Sequence, residues 1–300
     1  MKKGQQTICL CMLVCNEEKV LGRCLESAQG LYDELIIVDT GSTDKSEEVA
    51  RRYKAKIIKA KWRDDFAWAR NEGLRKAKSD WIFILDPDEV VALQDVGRFR
   101  KLTEVEGVMV WQIPTRNYTD NSFVANFIPN KGEYKEELGA RGYVQSVKTR
   151  MFRNHIGLKF EGLVHEMVDY QAFKMKLRGL STSIPIHHLH GDAGTRKGKS
   201  KGYFMIRICE KKVEKDPEDG QSWWEMGAVQ HSLGLEGSAL KSMKKALALG
   251  HKKAENLFIV AMVLKNLNEQ EESKRYFEKG ICLMYPELTH SREEYKKLDI

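Results

Sequence analysis

Three carboxylates fall within four positions at Asp86, Asp88 and Glu89, directly after the apolar run Trp81, Ile82, Phe83, Ile84, Leu85. Two aspartates one residue apart at the end of a buried strand can hold a hard divalent cation and still leave coordination positions for phosphate oxygens. A metal-bound diphosphate is therefore the expected ligand, and a polar turn after a core strand is the alternative. Asp39 ends a second apolar run, residues 34–38, and Ile184-Pro-Ile-His187-His188-Leu-His190 brings three imidazoles into four positions. A neutral imidazole can complete a metal shell begun by carboxylates.

The elements that must position these groups alternate. Residues 7–14 form a continuous apolar run followed by apolar residues at Val20, Leu21, Cys24, Leu25 and Ala28, which predicts a buried strand and then a helix with Asn16 as its N-cap. Residues 34–38 repeat the strand pattern and end in Asp39, Thr40, Gly41, where Gly41 permits a tight turn and Asp44 with Glu47 has capping-box spacing for a helix through Tyr53. A short strand over 55–59, a helix over 65–77 and the Asp86 strand follow. Four such alternations predict a parallel sheet with helices on both faces. Ligands of such sheets bind beyond the carboxyl ends of the strands, so Asp39 and the Asp86/Asp88 pair are expected on one edge. Beyond residue 107 the pattern changes: 108–113 and 149–152 read as strands, and 115–146 as a long polar loop whose Tyr118, Phe123, Phe127, Tyr134 and Tyr143 suit a cover over the acceptor side or a surface insertion.

The 300 residues carry a net charge of +7, with 31% charged and 42% hydrophobic positions, a balance of soluble globular proteins with room for two domains. The charge suits an anionic ligand, but no zinc-finger spacing or aromatic RNA-binding motif is present, which argues against nucleic acid. Apolar runs are too short for a transmembrane segment or a signal peptide, and six cysteines without C-x-x-C spacing read as reduced core residues. A cytoplasmic location is expected, with the inner face of the membrane as a peripheral alternative.

Cys11-Met-Leu-Val-Cys-Asn-Glu-Glu18, Ile37-Val-Asp-Thr-Gly-Ser-Thr-Asp44, Asp65-Phe-Ala-Trp-Ala-Arg-Asn71 and Trp81-Ile-Phe-Ile-Leu-Asp-Pro-Asp-Glu89 together resemble the N-terminal half of family 2 glycosyltransferases with the GT-A fold. The resemblance implies an α/β fold, a GT-A domain with a Rossmann-like mixed sheet over residues 1–200, and a nucleoside-diphosphate sugar as donor, a UDP-sugar first. It implies that Asp39 contacts the nucleotide base, that Arg70 and Asn71 line the nucleotide pocket, and that Asp86 and Asp88 bind the diphosphate and Mn2+ or Mg2+. Pro87 departs from the family, where the middle residue is small; it suits a strand end but removes a backbone donor near the phosphates.

Residues 150–166, with Arg150, Phe152, Arg153, Gly162, Val164, His165 and Glu166, resemble a segment of a bacterial subset that includes peptide S-glycosyltransferases and lipopolysaccharide-core transferases. An inverting transfer needs a general base on the acceptor side. Glu166 is the first candidate, His165 the second, and a structural His/Glu pair the alternative. Relatives carry H-H-x-G or H-x-G near 187–190, which matches His188 as a metal ligand, though His190 stands where they have Gly; a hydrogen-bonded packing role is the other reading. The Gly- and Lys-rich stretch 192–202 would close over the diphosphate or serve as a linker.

Residues 201–300 read as helical repeats. Trp223, Met226, Gly227, Ala239, Met243 and Ala246 fall on the tetratricopeptide pattern, and Leu257, Val260, Ala261, Ser273, Phe277 and Gly280 occupy the same slots 34 residues later. Two repeats call for a packing partner, with a helix over 203–215 as the bridge to the catalytic domain. The segment is a buttress, a dimer surface, or a peptide groove with Trp224, Gln230 and His231 on its inner face. The combined expectation is a metal-dependent inverting glycosyltransferase acting on a saccharide or a peptide or protein acceptor. The competing one is a degenerate transferase domain serving as a binding platform, with the repeats recruiting a protein partner.

Overall fold

A computed structural model of the chain describes residues 6–124, 126–137, 139–162, 166–189, 196–251 and 254–284. It divides into two compact units, Met1–Gly191 and Asp192–Ile300. In the first, β1 (Ile8–Val14), α1 (Leu21–Ser27), β2 (Glu34–Asp39), α2 (Ser46–Arg52), β3 (Lys56–Lys59), α3 (Phe66–Leu74) and β4 (Trp81–Ile84) follow in the order that the apolar runs predict. β1 lies between β2 and β4 and β3 flanks β2, all in parallel. Alternate residues of β1 serve opposite faces. Ile8, Leu10, Met12 and Val14 pack with Leu21, Leu25 and Phe99, while Cys9 and Cys11 pack with Ala67, Phe152 and Ala172. Because both faces are covered, the strands carry unbroken apolar runs, and each fully buried large side chain such as Trp81 or Phe83 contributes roughly 1.5–3 kcal/mol. All six cysteines are free thiols, and burial pushes the Cys11 thiol up to about 12.

The remaining elements are β5 (Glu89–Val91), α4 (Val96–Lys101), β6 (Val110–Thr119), β7 (Phe127–Pro129), β8 (Gly142–Arg153), α5 (Asp169–Lys174), β9 (Gly179–Ser181) and β10 (Ile186–His188). They extend the sheet to the order β3-β2-β1-β4-β8-β6-β10-β5, with β7 beside β8 and β9 beside β6. β8 runs antiparallel to β4 and β6, and β10 runs parallel to β6 and antiparallel to β5. A purely parallel sheet thus turns mixed after β4. The long polar loop expected over 115–146 is instead largely the β6/β8 hairpin with β7 on its edge. Residues such as Pro114, Thr115 and Tyr118 are covered on both sides, so the strand shows no two-residue alternation in the sequence.

Asn16 does not cap α1, which begins at Leu21 after Val20. Its backbone is left-handed, with φ 57°, and its Oδ1 accepts hydrogen bonds from Thr43 N at 2.8 Å and Asp44 N at 3.3 Å, tying the end of β1 to the turn after β2. The capping box expected from Asp44 and Glu47 is replaced by hydrogen bonds from Ser46 N and Oγ to Asp44 Oδ1 at 2.9 and 2.6 Å.

In the second unit, α6 (Arg196–Lys215) precedes α7 (Gly220–Ser232), α8 (Glu236–Ala248), α9 (Ala254–Asn266) and α10 (Gln270–Met284). The starts of α7 and α9, and of α8 and α10, are both 34 residues apart, the tetratricopeptide period. Ala239, Met243, Leu257, Val260 and Leu264 form the core between the pairs, and the helical part fits tetratricopeptide-like repeats. Gln230 is buried and accepts a hydrogen bond from Ser242 Oγ at 2.8 Å, His231 Nδ1 lies 2.8 Å from Glu236 Oε2, and Trp224 packs on that core. Gln230 is therefore part of the contact between α7 and α8 rather than a side chain of an open groove.

Candidate functional site

Helix α3 begins at Asp65, whose carboxylate accepts from Trp68 N at 2.8 Å as an N-cap. Gly73 lets it rest directly on the sheet: a Cβ there would collide with Cys11 Sγ and stand 3.1 Å from Val38 Cγ2. One turn earlier, this close seat delivers Arg70 to the carboxyl edge of the strands. Its Nη2 donates to Asp86 Oδ1 and its Nε to Glu166 Oε1, each at 2.7 Å, and the side chain is 10% exposed. Arg70 Nη1 is buried and has no hydrogen-bond partner among the described residues.

A second arginine meets Asp86 from the other side. Arg150 Nη1 donates to Asp86 Oδ2 at 3.2 Å and Nη2 to Glu89 Oε1 at 2.6 Å, while Glu89 Oε2 accepts from Asp86 N at 2.9 Å. The β6/β8 register shifts between Trp111 and Gln112, whose partners are Met151 and Thr149, so Arg150 is the extra residue of a β-bulge. Bulges re-aim side chains next to sites, and this one turns Arg150 toward Asp86. Burial alone would raise the Asp86 carboxyl, but the Arg70 and Arg150 charges more than offset it and hold the group well below the usual carboxylate range. Burial pushes Glu89 up despite Arg150.

Asp88, two residues on, faces a different partner. His188 Nε2 lies 3.2 Å from Asp88 Oδ2, and His188 Nδ1 lies 3.0 Å from Asn117 Oδ1. Asn117 Nδ2 donates to Val144 O at 3.0 Å and Ser146 Oγ at 3.2 Å, which fixes the amide so that Oδ1 accepts and His188 Nδ1 carries a proton. Nε2 therefore points toward a carboxylate oxygen. Without a cation that position favours a second proton, and the hydrogen bond to Asp88 raises the His188 pKa. A divalent cation can take the place of that proton, and the donor set of a carboxylate and an outer-sphere-anchored imidazole fits one. Among the described residues no group of three or more His, Cys, Asp or Glu could hold a metal ion, so a cation here would be completed by water and phosphate oxygens.

The remaining candidates separate. Asp39 is buried at the end of β2, and its Oδ1 accepts from Gly41 N at 3.0 Å and Ser42 N at 2.7 Å; Gly41 at φ 121° allows that turn. Asn71 clips the segment before Glu166, donating to Phe160 O at 3.0 Å and accepting from Phe160 N at 2.9 Å. His165, His190 and most of 192–202 lie outside the residues whose side chains are described. Sequence reasoning did not single out Glu89, Arg150 or Asn117 as site residues. Glu89 and Arg150 were visible in the acidic triplet and the Arg-x-Phe-Arg segment, whereas nothing local marks Asn117.

These features define an α/β domain whose polar residues gather where the parallel strands β1, β2 and β4 end and the sheet turns mixed. The chain belongs to glycosyl transferase family 2, whose family model matches residues 9–160. Residues 9–160 are thus a family 2 glycosyltransferase domain built on a mixed sheet, and helical repeats follow it in the sequence. Similar proteins include a TPR repeat-containing protein of Synechococcus elongatus, 28% identical over 251 residues (81% of this chain, 57% of the relative), and the SPbeta prophage-derived glycosyltransferase SunS of Bacillus subtilis, 26% identical over 267 residues (88% and 58%). The chain spans less than three-fifths of the length of these relatives. Among solved structures, S. aureus TarS in complex with UDP-GlcNAc is 12% identical with TM-score 0.49, covering 91% of each chain. Mannosyltransferase PcManGT from Pyrobaculum calidifontis in complex with GDP-Man and Mn2+ is 13% identical with TM-score 0.46, covering 94% of this chain and 88% of that one. No helix among the described residues is long and apolar enough to cross a membrane.

Proposed function

We propose that this chain is an inverting glycosyltransferase that takes a sugar from a nucleoside-diphosphate donor, a UDP-sugar first, and passes it to a saccharide or, through the repeats, a polypeptide acceptor. The observation that carries the reading is Arg70, which joins the Asp86 turn to Glu166 through two 2.7 Å hydrogen bonds. The expected base thereby sits beside the expected donor diphosphate. Asp88 and His188 would hold a divalent cation, Mn2+ or Mg2+, which when bound offsets charge on the departing diphosphate. Asp86, with both oxygens on guanidinium groups, acts chiefly by fixing the turn that presents Asp88.

Glu166 takes the proton of an acceptor hydroxyl or thiol as its oxygen or sulfur attacks the anomeric carbon. The bond from that carbon to the diphosphate breaks, and the nucleoside diphosphate leaves with the electron pair. Asp39 lies at the end of the strand where the base of the nucleotide would rest, and Asn71 supports Arg70 and the 160 segment. A saccharide acceptor matches relatives named chondroitin synthase and lipopolysaccharide core biosynthesis glycosyltransferase LpsC. The residues 1–200 and 201–300 are proposed as the catalytic and repeat domains. A thermal-shift screen of uridine, guanosine and thymidine diphosphate sugars with Mn2+ tests the donor site, because a ligand that binds the native state raises the melting temperature by mass action. A rise with one base supports the reading, and no rise with any of them defeats it.

A further inference from the structure

The edge that holds the candidate donor site contains a cation that neither the carboxylates nor the expected metal accounts for. β4 and β8 pair as Trp81↔Arg153, Ile82↔Phe152 and Phe83↔Met151, and β8 runs on past the end of β4 through Arg150, which bonds Asp86, to Lys148 two residues further along the strand. On its other side β8 pairs with β6 as Lys148↔Ile113 and Ser146↔Thr115, and Val144 faces Asn117. Strand alternation then places Lys148 and Ser146 on the sheet face that carries Asn117 and His188. The 3.2 Å hydrogen bond from Asn117 Nδ2 to Ser146 Oγ is made on that face.

β4 borders β8 while β5 borders β10, so the link 85–88 that carries Asp86 and Asp88 crosses the β8 and β6 strip where Lys148 stands. Arg70 and Arg150 are neutralised by Asp86, Glu89 and Glu166. Lys148 is exposed, and its ammonium makes no ion pair or hydrogen bond with the described residues.

We propose that Lys148 contacts the diphosphate of the donor and stabilises it as the leaving group, beside the cation held at Asp88 and His188. The inference rests on the donor-site reading above. A nucleoside diphosphate carries more negative charge than one divalent cation neutralises, and a flexible, exposed ammonium on a rigid strand can follow the phosphate as its charge grows.

The test compares the parent with Lys148→Met and Lys148→Arg, using calorimetric titration with UDP, UMP and uridine in the presence of Mn2+ and, with a turned-over donor, kcat. One lost charge-assisted contact predicts that Lys148→Met weakens UDP by about 10- to 100-fold. Uridine should be unaffected, kcat should fall and Lys148→Arg should recover most of both. Equal UDP affinity and kcat in the parent and Lys148→Met overturn the proposal. So does a loss that extends equally to uridine and comes with a lowered melting temperature, which marks a structural role. A parent that binds none of UDP, GDP and dTDP defeats the donor-site reading itself, a distinct result from a parent that binds and a Lys148→Met variant that binds equally well.

Discussion

Ninety-six positions of sequence separate Arg70 from Glu166, yet Arg70 Nε lies 2.7 Å from Glu166 Oε1. The same guanidinium bonds Asp86 with Nη2, so one planar fork holds the acid of a strand end and the acid of a distant segment in fixed relation. Lysine has a point charge and cannot reproduce that fork. Arg70→Lys is expected to fold and to lose transfer, and Arg70→Ala to lose roughly 3–5 kcal/mol of stability, because Glu166 loses its guanidinium partner and Asp86 keeps only Arg150. Urea unfolding with unchanged slope measures the second, and a loss below 1 kcal/mol would show that Arg70 is not a structural junction.

Glu166→Gln keeps the shape and the Arg70 contact but cannot accept a proton. A drop of about 100- to 10,000-fold in kcat with donor affinity unchanged is expected. Retained turnover would shift the role of base to His165.

Asn117 tests the outer support of the proposed metal pair. Its removal in Asn117→Ala frees His188 Nδ1, and a loss of about 10- to 100-fold in Mn2+-dependent donor binding is expected with little change in binding without metal. Identical metal dependence in the variant would leave His188 as a packing residue.

Acid stability reports on Asp86. Its folded pKa lies below that of the unfolded chain, so the stability it contributes is fully present above about pH 4 and is lost as pH falls further toward the folded pKa. Asp86→Asn should therefore lower stability at pH 7 and narrow the gap to the parent in acid, read by denaturant midpoints from pH 7 to pH 3. A gap that widens in acid would contradict the arginine clamp.

Much of this geometry was legible in the residues because it rests on local chemistry. Strand runs ending in Asp39 and Asp86 placed the acids on one edge, and the 34-residue spacing marked the helix pairs. Contacts made at long range were not. Asn16 reads as a helix cap but bonds the turn after β2, and Asn71 reads as a pocket residue but bonds the backbone of Phe160. The β6/β8 hairpin hides for the same reason: coverage of both faces removes the alternation that identifies a strand, and the bulge at Arg150 follows from the pairing of β8 with Trp111 and Gln112, far away in the chain.

Donor turnover tests the proposed metal-dependent site at Asp88 and His188 most directly. Release of nucleoside diphosphate from UDP-, GDP- and dTDP-sugars is followed with Mn2+ and with a chelator, for the parent, Asp88→Asn and His188→Ala. Release by the parent that requires Mn2+ and falls at least about 100-fold in both variants is the predicted result. Release that is indifferent to the chelator, or equal in parent and Asp88→Asn, would contradict it.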